Sequence, residues 1–325
     1  MLAFVVAALL GLSDPQSTPP AAPQPPSAQQ TSADASAVRL EDVEITARRN
    51  DMIRAFVNEV AAPNRHRGIA RWRKDICIGV ANLRPEAAQY IVDRVSTVAE
   101  DIGLTPGEPG CAPNVIIIAS TSADELAAEL VRERRQAFRM GGSGMDRGAA
   151  ALTAFVNSDQ PVRWWQVSMP TDNETGADAV SLPGNCRGSC DSNPAHEPRP
   201  QDFGPVIKLA GSSRLNSQIV DNLFRTVAIL DVDQVSSVSI QQLADYLAMI
   251  TLVQIDPGAD TSAYVSVLNV FDDPAQTDGL TGWDEAYLHG LYEADRTRRN
   301  PSAGRSELSA SIRRARDRLN TATPD

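Results

Sequence analysis

Lysine is almost missing from this chain. Among 30 basic residues only Lys74 and Lys208 are lysines, a bias that GC-rich coding produces and that carries no functional weight. Histidine is nearly as scarce: His66, His196 and His289 are the whole set, too scattered to form a local zinc motif. No Gly-x-Ser-x-Gly elbow occurs. Gly141-Gly142-Ser143-Gly144 is a flexible joint with no Gly-Lys-Ser/Thr after it, so no phosphate loop is encoded. Basic charge is short overall, with 30 basic against 41 acidic residues, a net charge of −11 and a pI near 4.8. Such a chain gains little from neutralising phosphates, so nucleic acid is not expected as a partner. Aromatic residues make up 5%. No apolar run approaches the ~20 residues that cross a bilayer as a helix.

The chain of 325 residues is 42% hydrophobic, enough for one large core or two modest ones. Its longest apolar stretch is Leu2–Leu12, which suits the hydrophobic part of an export signal. Gly11 and Ser13 supply the small residues before a cut ahead of Asp14, although no Lys or Arg follows Met1. Residues 1–13 therefore read as a signal peptide and place the mature protein in the periplasm or outside the cell. No cysteine lies near the cut, so no lipid anchor is expected there. Residues 14–37, with Pro15, Pro19, Pro20, Pro23, Pro25 and Pro26, read as an extended linker that buries nothing.

Four cysteines in an exported chain suggest disulfides. Three pairings are open. The favoured one joins Cys77 to Cys111 and Cys186 to Cys190, the second closing a small loop. The competing reading is a zinc site from Cys186, Cys190 and His196, which has no evident fourth ligand.

The apolar pattern predicts a mixed α+β domain over residues 50–295, a mixed sheet packed by helices with an N-terminal helical layer, followed by a charged helix and tail over 296–325. Val43, Ile45 and Ala47 alternate with polar residues and predict a strand or extended segment over Val38–Arg49. Helices are predicted over Asp51–Val60, Arg84–Ile102, Ser122–Phe138, Ser239–Leu252, Trp283–Tyr292 and Ser302–Asn320, with a short one from Ser212 to about Phe224. Ile240, Leu243, Leu247 and Ile250 form the expected inner face of the fourth. Strands are predicted at Asn114–Ala119, Arg163–Met169, Pro205–Leu209 and Val227–Val232, with Trp164 and Trp165 on opposite faces. A long polar loop spans Thr171–Phe203.

Several residues could carry chemistry. Arg65, His66, Arg67, Arg71, Arg73 and Lys74 form a basic run around Trp72, suited to an anion or an anionic surface, or simply to a solvated turn. Arg71, Trp72 and Trp165 are the binding candidates. Asp231 and Asp233 lie close together at a strand end, and Asp245 with Tyr246 is the best polar pair on an amphipathic helix. Asp231, Asp245 and His289 are thus the catalytic candidates, each with an ordinary structural role as its alternative. No metal or cofactor is expected.

Phe56-Val57 with Ala62-Pro63, Ala70-Arg71-Trp72, Cys77-Ile78-Gly79-Val80, Asp93-Arg94-Val95, Gln242-Leu243-Ala244-Asp245-Tyr246 and Leu280-Thr281-Gly282-Trp283-Asp284 resemble a family of uncharacterised exported bacterial proteins over most of residues 50–295. That resemblance brings no activity with it. The order strand, helix, turn, helix over Val227–Val232, Ser239–Leu252 and Trp283–Tyr292 is also similar to metzincin-type proteases, and implies a degenerate zincin-like fold. Where a metzincin helix carries two histidines and a glutamate, this one offers Gln241, Gln242, Asp245 and Tyr246, so such a member would be metal-free and inert. The resulting expectation is an exported soluble protein that binds an envelope protein or a small ligand without catalysis. The alternatives are a peptidase-like hydrolase whose site assembles only in the fold, and a surface module for anionic lipid or glycan.

Overall fold

The computed structural model describes residues 40–64, 67–73, 75–139, 144–180 and 214–322. The signal peptide and linker expected over residues 1–37, Cys186, Cys190, His66, His196 and the strand expected at Pro205–Leu209 lie outside the described residues. By contacts the chain divides into Met1–Val43, of which only the first turn of a helix is described, and Glu44–Asp325, which holds everything that follows.

A four-stranded mixed sheet organises the second unit. Strands β2 (Ile78–Ala81), β4 (Val115–Ser120) and β6 (Ile219–Asp231) are parallel, and β5 (Val162–Asp172) runs antiparallel at the edge, in the order β2-β4-β6-β5. A two-stranded parallel pair, β1 (Asp75–Ile76) and β3 (Thr105–Pro106), stands beside it. Alternation assigns the faces. Val115, Ile117, Ala119, Ala228, Leu230 and Trp164 point into the larger core. Trp165, Val167, Val227 and Ile229 point into a smaller one behind the sheet. The expected division of the two tryptophans across the strand is therefore present.

The larger core is closed by helices α1 (Leu40–Val60), α2 (Pro85–Asp101), α6 (Ile240–Leu252), α7 (Gly282–Glu293) and α8 (Pro301–Ala322). Pro85 opens α2 at its first position, where no hydrogen bond is lost, and Ile91, Val95, Val98 and Ala99 make its buried stripe. Helix α6 begins with a full capping box, Ser239 with Gln242. It is buried on all sides from Gln242 to Leu252, while Ile240, expected on its inner face, is 40% exposed. Phe56 of α1 meets Tyr264, Trp283 and Tyr287 edge-on with ring centres 4.8–5.4 Å apart. Helix α8 belongs to the same packed unit: Leu308, Ile312 and Ala315 are buried, and Gly290 of α7 lets the backbone of Ile312 come close. The smaller core is covered by α3 (Ala123–Glu133), α4 (Arg135–Phe138) and α5 (Ala149–Val156).

Three elements depart from expectation. The strand proposed over Val38–Arg49 is instead, from Leu40 on, the start of α1. Three alternating residues are a weak signal, and the helix nucleated by the buried Ile53, Phe56, Val57 and Val60 face extends back through them. The short helix expected from Ser212 to Phe224 gives way to β6, which starts at Ile219, because Ile219, Val220, Phe224 and Thr226 are β-branched or aromatic and pair with β5. The helix expected to run unbroken to Phe138 breaks at Arg134.

Cys77 and Cys111 form a disulfide with Cα atoms 6.0 Å apart. The bridge ties the junction of β1 and β2 to the loop that enters β4. Asn114 reinforces it, accepting the Cys77 N–H at 2.7 Å and donating to the Asp75 carbonyl. Among the described residues no helix is long and apolar enough to cross a membrane. The disulfide fits a secreted protein. Replacing Cys77 and Cys111 together by serine removes a link across 34 residues of sequence and is expected to lower unfolding stability by roughly 2–4 kcal/mol, read from urea melts of oxidised and variant protein.

Candidate ligand-binding site

Strand β4 reaches only as far along β6 as Thr226, so the edge of Ile219–Arg225 needs another partner. The segment that follows α1 supplies it. Arg71 bridges Asn222 on one side and Val253 on the other, and its carbonyl accepts the Leu223 N–H at 2.9 Å. Ala70 donates to the Gln254 side chain. The basic run seen in the sequence is thus laid partly inside the protein, against the start of β6 and the turn after α7.

Here the arginines converge. Arg67 Nε lies 3.0 Å from Oδ1 of Asp221, a side chain only 6% exposed. The pair is close but poorly aligned: Arg67 Nε and Nη2 and Asp221 Oδ1 have no hydrogen-bond partner among the described residues. Asp221 Oδ2 accepts the Gly68 N–H at 3.3 Å. Arg296 donates from Nη1 to the Asp221 carbonyl at 2.9 Å and to Asn222 Oδ1 at 2.8 Å. Arg71 stacks over the Tyr292 ring with its guanidinium carbon 5.5 Å from the ring centre, and donates to the Leu291 carbonyl. The Tyr292 hydroxyl donates to the Leu252 carbonyl at 2.6 Å, and so holds the end of α6 to α7.

The electrostatics are those of crowded cations. Burial lowers the Arg296 pKa to about 10, and repulsion from Arg71 and Arg73 adds to the effect. Burial lowers that of Arg71 too. Burial pushes the Asp221 carboxyl up, against the pull of Arg67 and Arg296. Beside this cluster lies a cavity of about 250 Å³. Its wall carries five arginines, Arg67, Arg296, Arg298, Arg299 and Arg305, against two aspartates, Asp221 and Asp295. Ile69, Ile219, Val220, Leu291 and Leu308 supply an apolar side. Positive charge is concentrated here in a chain whose net charge is −11.

The catalytic candidates do not meet. Asp231 ends β6 and is occupied by the Asp233 and Gln234 N–H groups and the Gln234 side chain, while Asp233 lies in the turn beyond the strand. Asp245 is fully buried, paired with Arg94 of α2 and accepting the Leu280 N–H at 3.1 Å. Gly279 beside it is required, since a Cβ there would stand 2.1 Å from Asp245 Oδ2. Gln242 is spent on the helix cap and on the Pro274 and Thr277 carbonyls. His289 is half-buried on α7, one turn from Glu285, whose carboxyl is raised by burial against the attraction of His289 and Arg94. No hydrogen bond joins any two of Asp231, Asp245 and His289.

Of the binding candidates, Arg71 belongs to the arginine cluster. Trp72 is a core residue, 3% exposed, with Nε1 donating to the Thr251 carbonyl at 2.8 Å. Trp165, 4% exposed, donates to the Phe138 carbonyl within the smaller core. Long apolar bodies with one polar tip can satisfy that tip on a backbone carbonyl, and both rings are used in this way. Asp221 and Arg296 were not singled out in the sequence. Arg296-Thr297-Arg298-Arg299 directly after an apolar helix was the available signal; Asp221 had none, since its segment reads as helical. Among the described residues no three of His, Cys, Asp and Glu are placed to hold a metal ion, and no Ser, Thr or Cys side chain is hydrogen-bonded to a histidine.

Two measurements check this assignment of roles. Asp245→Ala leaves Arg94 and the Leu280 N–H unpaired and is expected to cost about 2–3 kcal/mol of unfolding free energy, while Asp231→Ala costs under about 1 kcal/mol. The second concerns pH. Unfolded Asp221 ionises in the ordinary carboxylate range and folded Asp221 at higher pH. Between the two the folded state holds more protons, so this residue's contribution to stability falls as pH rises. Asp221→Asn is therefore expected to remove part of the decline in urea-unfolding stability between about pH 4 and 7, and a decline as steep as in the parent protein would contradict it.

No family model matches the chain, and no curated protein or solved structure matches it. The element order that resembles metzincins is present in β6, α6 and α7, but order alone does not establish descent, and a zincin-like origin gains no support.

Proposed function

We propose that this chain is an exported, non-catalytic binding module of the cell envelope, and that the arginine-lined cavity is where it takes a small ligand. One observation carries the reading. Five arginines face two aspartates along an apolar-lined cavity, and the Arg67–Asp221 pair beside it is close but poorly aligned. A poorly aligned buried ion pair forgoes part of the stabilisation that a well-placed oxyanion acceptor would give the guanidinium. The leader over residues 1–13 and the Cys77–Cys111 bridge support an extracytoplasmic setting.

Gly304 permits a direct test. It lines the cavity near the start of α8, and a Cβ there meets nothing within 4 Å. Gly304→Leu should fill the mouth of the cavity without strain and raise helix stability by up to about 1 kcal/mol. A set of small anionic, cationic and neutral compounds, screened by thermal shift, is expected to include members that raise Tm of the parent protein and fail to raise that of Gly304→Leu. Identical responses of the two proteins to every compound would remove the cavity as the ligand site.

A further inference from the structure

We infer that the ligand of this cavity is a small amphipathic oxyanion, a single carboxylate or phosphate group on an apolar body, held by Arg67 and Arg296 in competition with Asp221. The inference rests on the binding reading above and specifies its chemistry.

Three features of the site lead to it. Nε and Nη2 of Arg67 form one edge of the guanidinium, the edge that accepts two oxygens of a planar or tetrahedral oxyanion side by side. Neither nitrogen has a hydrogen bond among the described residues, although a carboxylate oxygen of Asp221 lies 3.0 Å from Nε. Among the described residues Arg296 uses only Nη1, for the Asp221 carbonyl and Asn222. Arg296 thus retains donor capacity beside the cavity, and the shielded edge of Arg67 becomes a donor to the ligand when it turns from Asp221.

The charge is also unbalanced. Arg67, Arg71 and Arg296 crowd around Asp221, while Asp295, the other acid of the cavity wall, is paired with Arg298 at 3.4 Å. Arg299 and Arg305 have no carboxylate partner among the described residues. A single carboxylate therefore faces several cations in a partly desolvated place, where like charges repel strongly. An added oxyanion relieves that repulsion and gives the Arg67 fork a well-aligned acceptor. The site is also positive within an acidic protein, so the local field favours anions over the chain's overall charge.

The apolar lining residues decide the rest of the ligand. Ile69, Ile219, Leu291 and Leu308 cannot satisfy a second charge or a sugar-like array of hydroxyls. They can cover a short aliphatic or aromatic body. The cavity of about 250 Å³ limits that body to a few carbon atoms beyond the charged group.

Asp221 acts as the resident counter-ion in this arrangement. It neutralises part of the cluster when no ligand is bound and competes with the ligand for Arg67. Removing its charge should strengthen anion binding, an effect that a purely structural aspartate would not produce.

The test is titration calorimetry on the mature oxidised protein with hexanoate, butyl phosphate, inorganic phosphate and the neutral hexanamide. Hexanoate or butyl phosphate is expected to bind one to one, at least tenfold more tightly than hexanamide and more tightly than inorganic phosphate. Which of the two binds better identifies the carboxylate or the phosphate as the natural group. Arg296→Gln should weaken that binding tenfold or more, Asp221→Asn should tighten it severalfold, and Gly304→Leu should abolish it. If Arg296→Gln does not fold, Asp221→Asn alone decides: unchanged or weaker anion binding overturns the inference. Equal binding of hexanamide and hexanoate, both lost in Gly304→Leu, would overturn the oxyanion assignment while the cavity remained the ligand site. Absence of binding by all four probes overturns the oxyanion assignment, and the binding module itself then stands or falls on the Gly304→Leu screen.

Discussion

The length of β6 governs this structure. It continues past its parallel neighbour β4, and the exposed edge of Ile219–Arg225 has to be completed by something. An unpaired strand edge inside a protein leaves backbone N–H and C=O groups without partners, which is not tolerated. The Arg67–Trp72 segment meets this edge at Arg71, whose carbonyl accepts the Leu223 N–H, and that contact brings Trp72 into the core and leaves Arg67 and Arg71 half-buried. Arg71 bridges two backbones, Trp72 locks onto α6, and Arg67 is brought to Asp221.

Burial then gives the arginines their character. At a surface, guanidinium groups in an acidic protein would find water and scattered carboxylates, and their pairs would contribute little. Between β6, the turn after α7 and the start of α8 they face one another. Apolar packing of α7 against α8, through Gly290 and Ile312, sets how closely Arg296 and Arg305 approach the cavity. The hydrophobic core thus positions the charged site, and the site's unfavourable electrostatics are stabilised by the packing around it. Asp245 shows the contrary case: a buried carboxylate fully engaged by Arg94 and a backbone N–H, and so a part of the scaffold.

The disulfide and the helix caps fix the elements around this edge. Cys77–Cys111 fastens the entry to β2 and β4, the strands that leave β6 uncovered. The capping boxes at Ser239 and Thr281 fix where α6 and α7 begin. Since Tyr292 ties the end of α7 to the end of α6, those starting points determine where Arg296 emerges.

Local chemistry made much of this legible from the amino-acid order alone. Helices α2, α6, α7 and α8 follow from apolar spacing, with Pro85 and Ser239 at their starts, and β4 follows from Val115-Ile116-Ile117-Ile118. The Cys77–Cys111 pairing and the opposite faces of Trp164 and Trp165 follow from the same kind of reasoning. What the order could not reveal was long-range. Whether Trp72 is a surface anchor or a core residue depends on Thr251, and whether Asp221 lies in a helix or a strand depends on β5. Arg67, Asp221 and Arg296 stand far apart in sequence and carry no shared pattern. Only the tertiary structure decides that they share a wall, because strand pairing and helix packing, which act through space, bring them there.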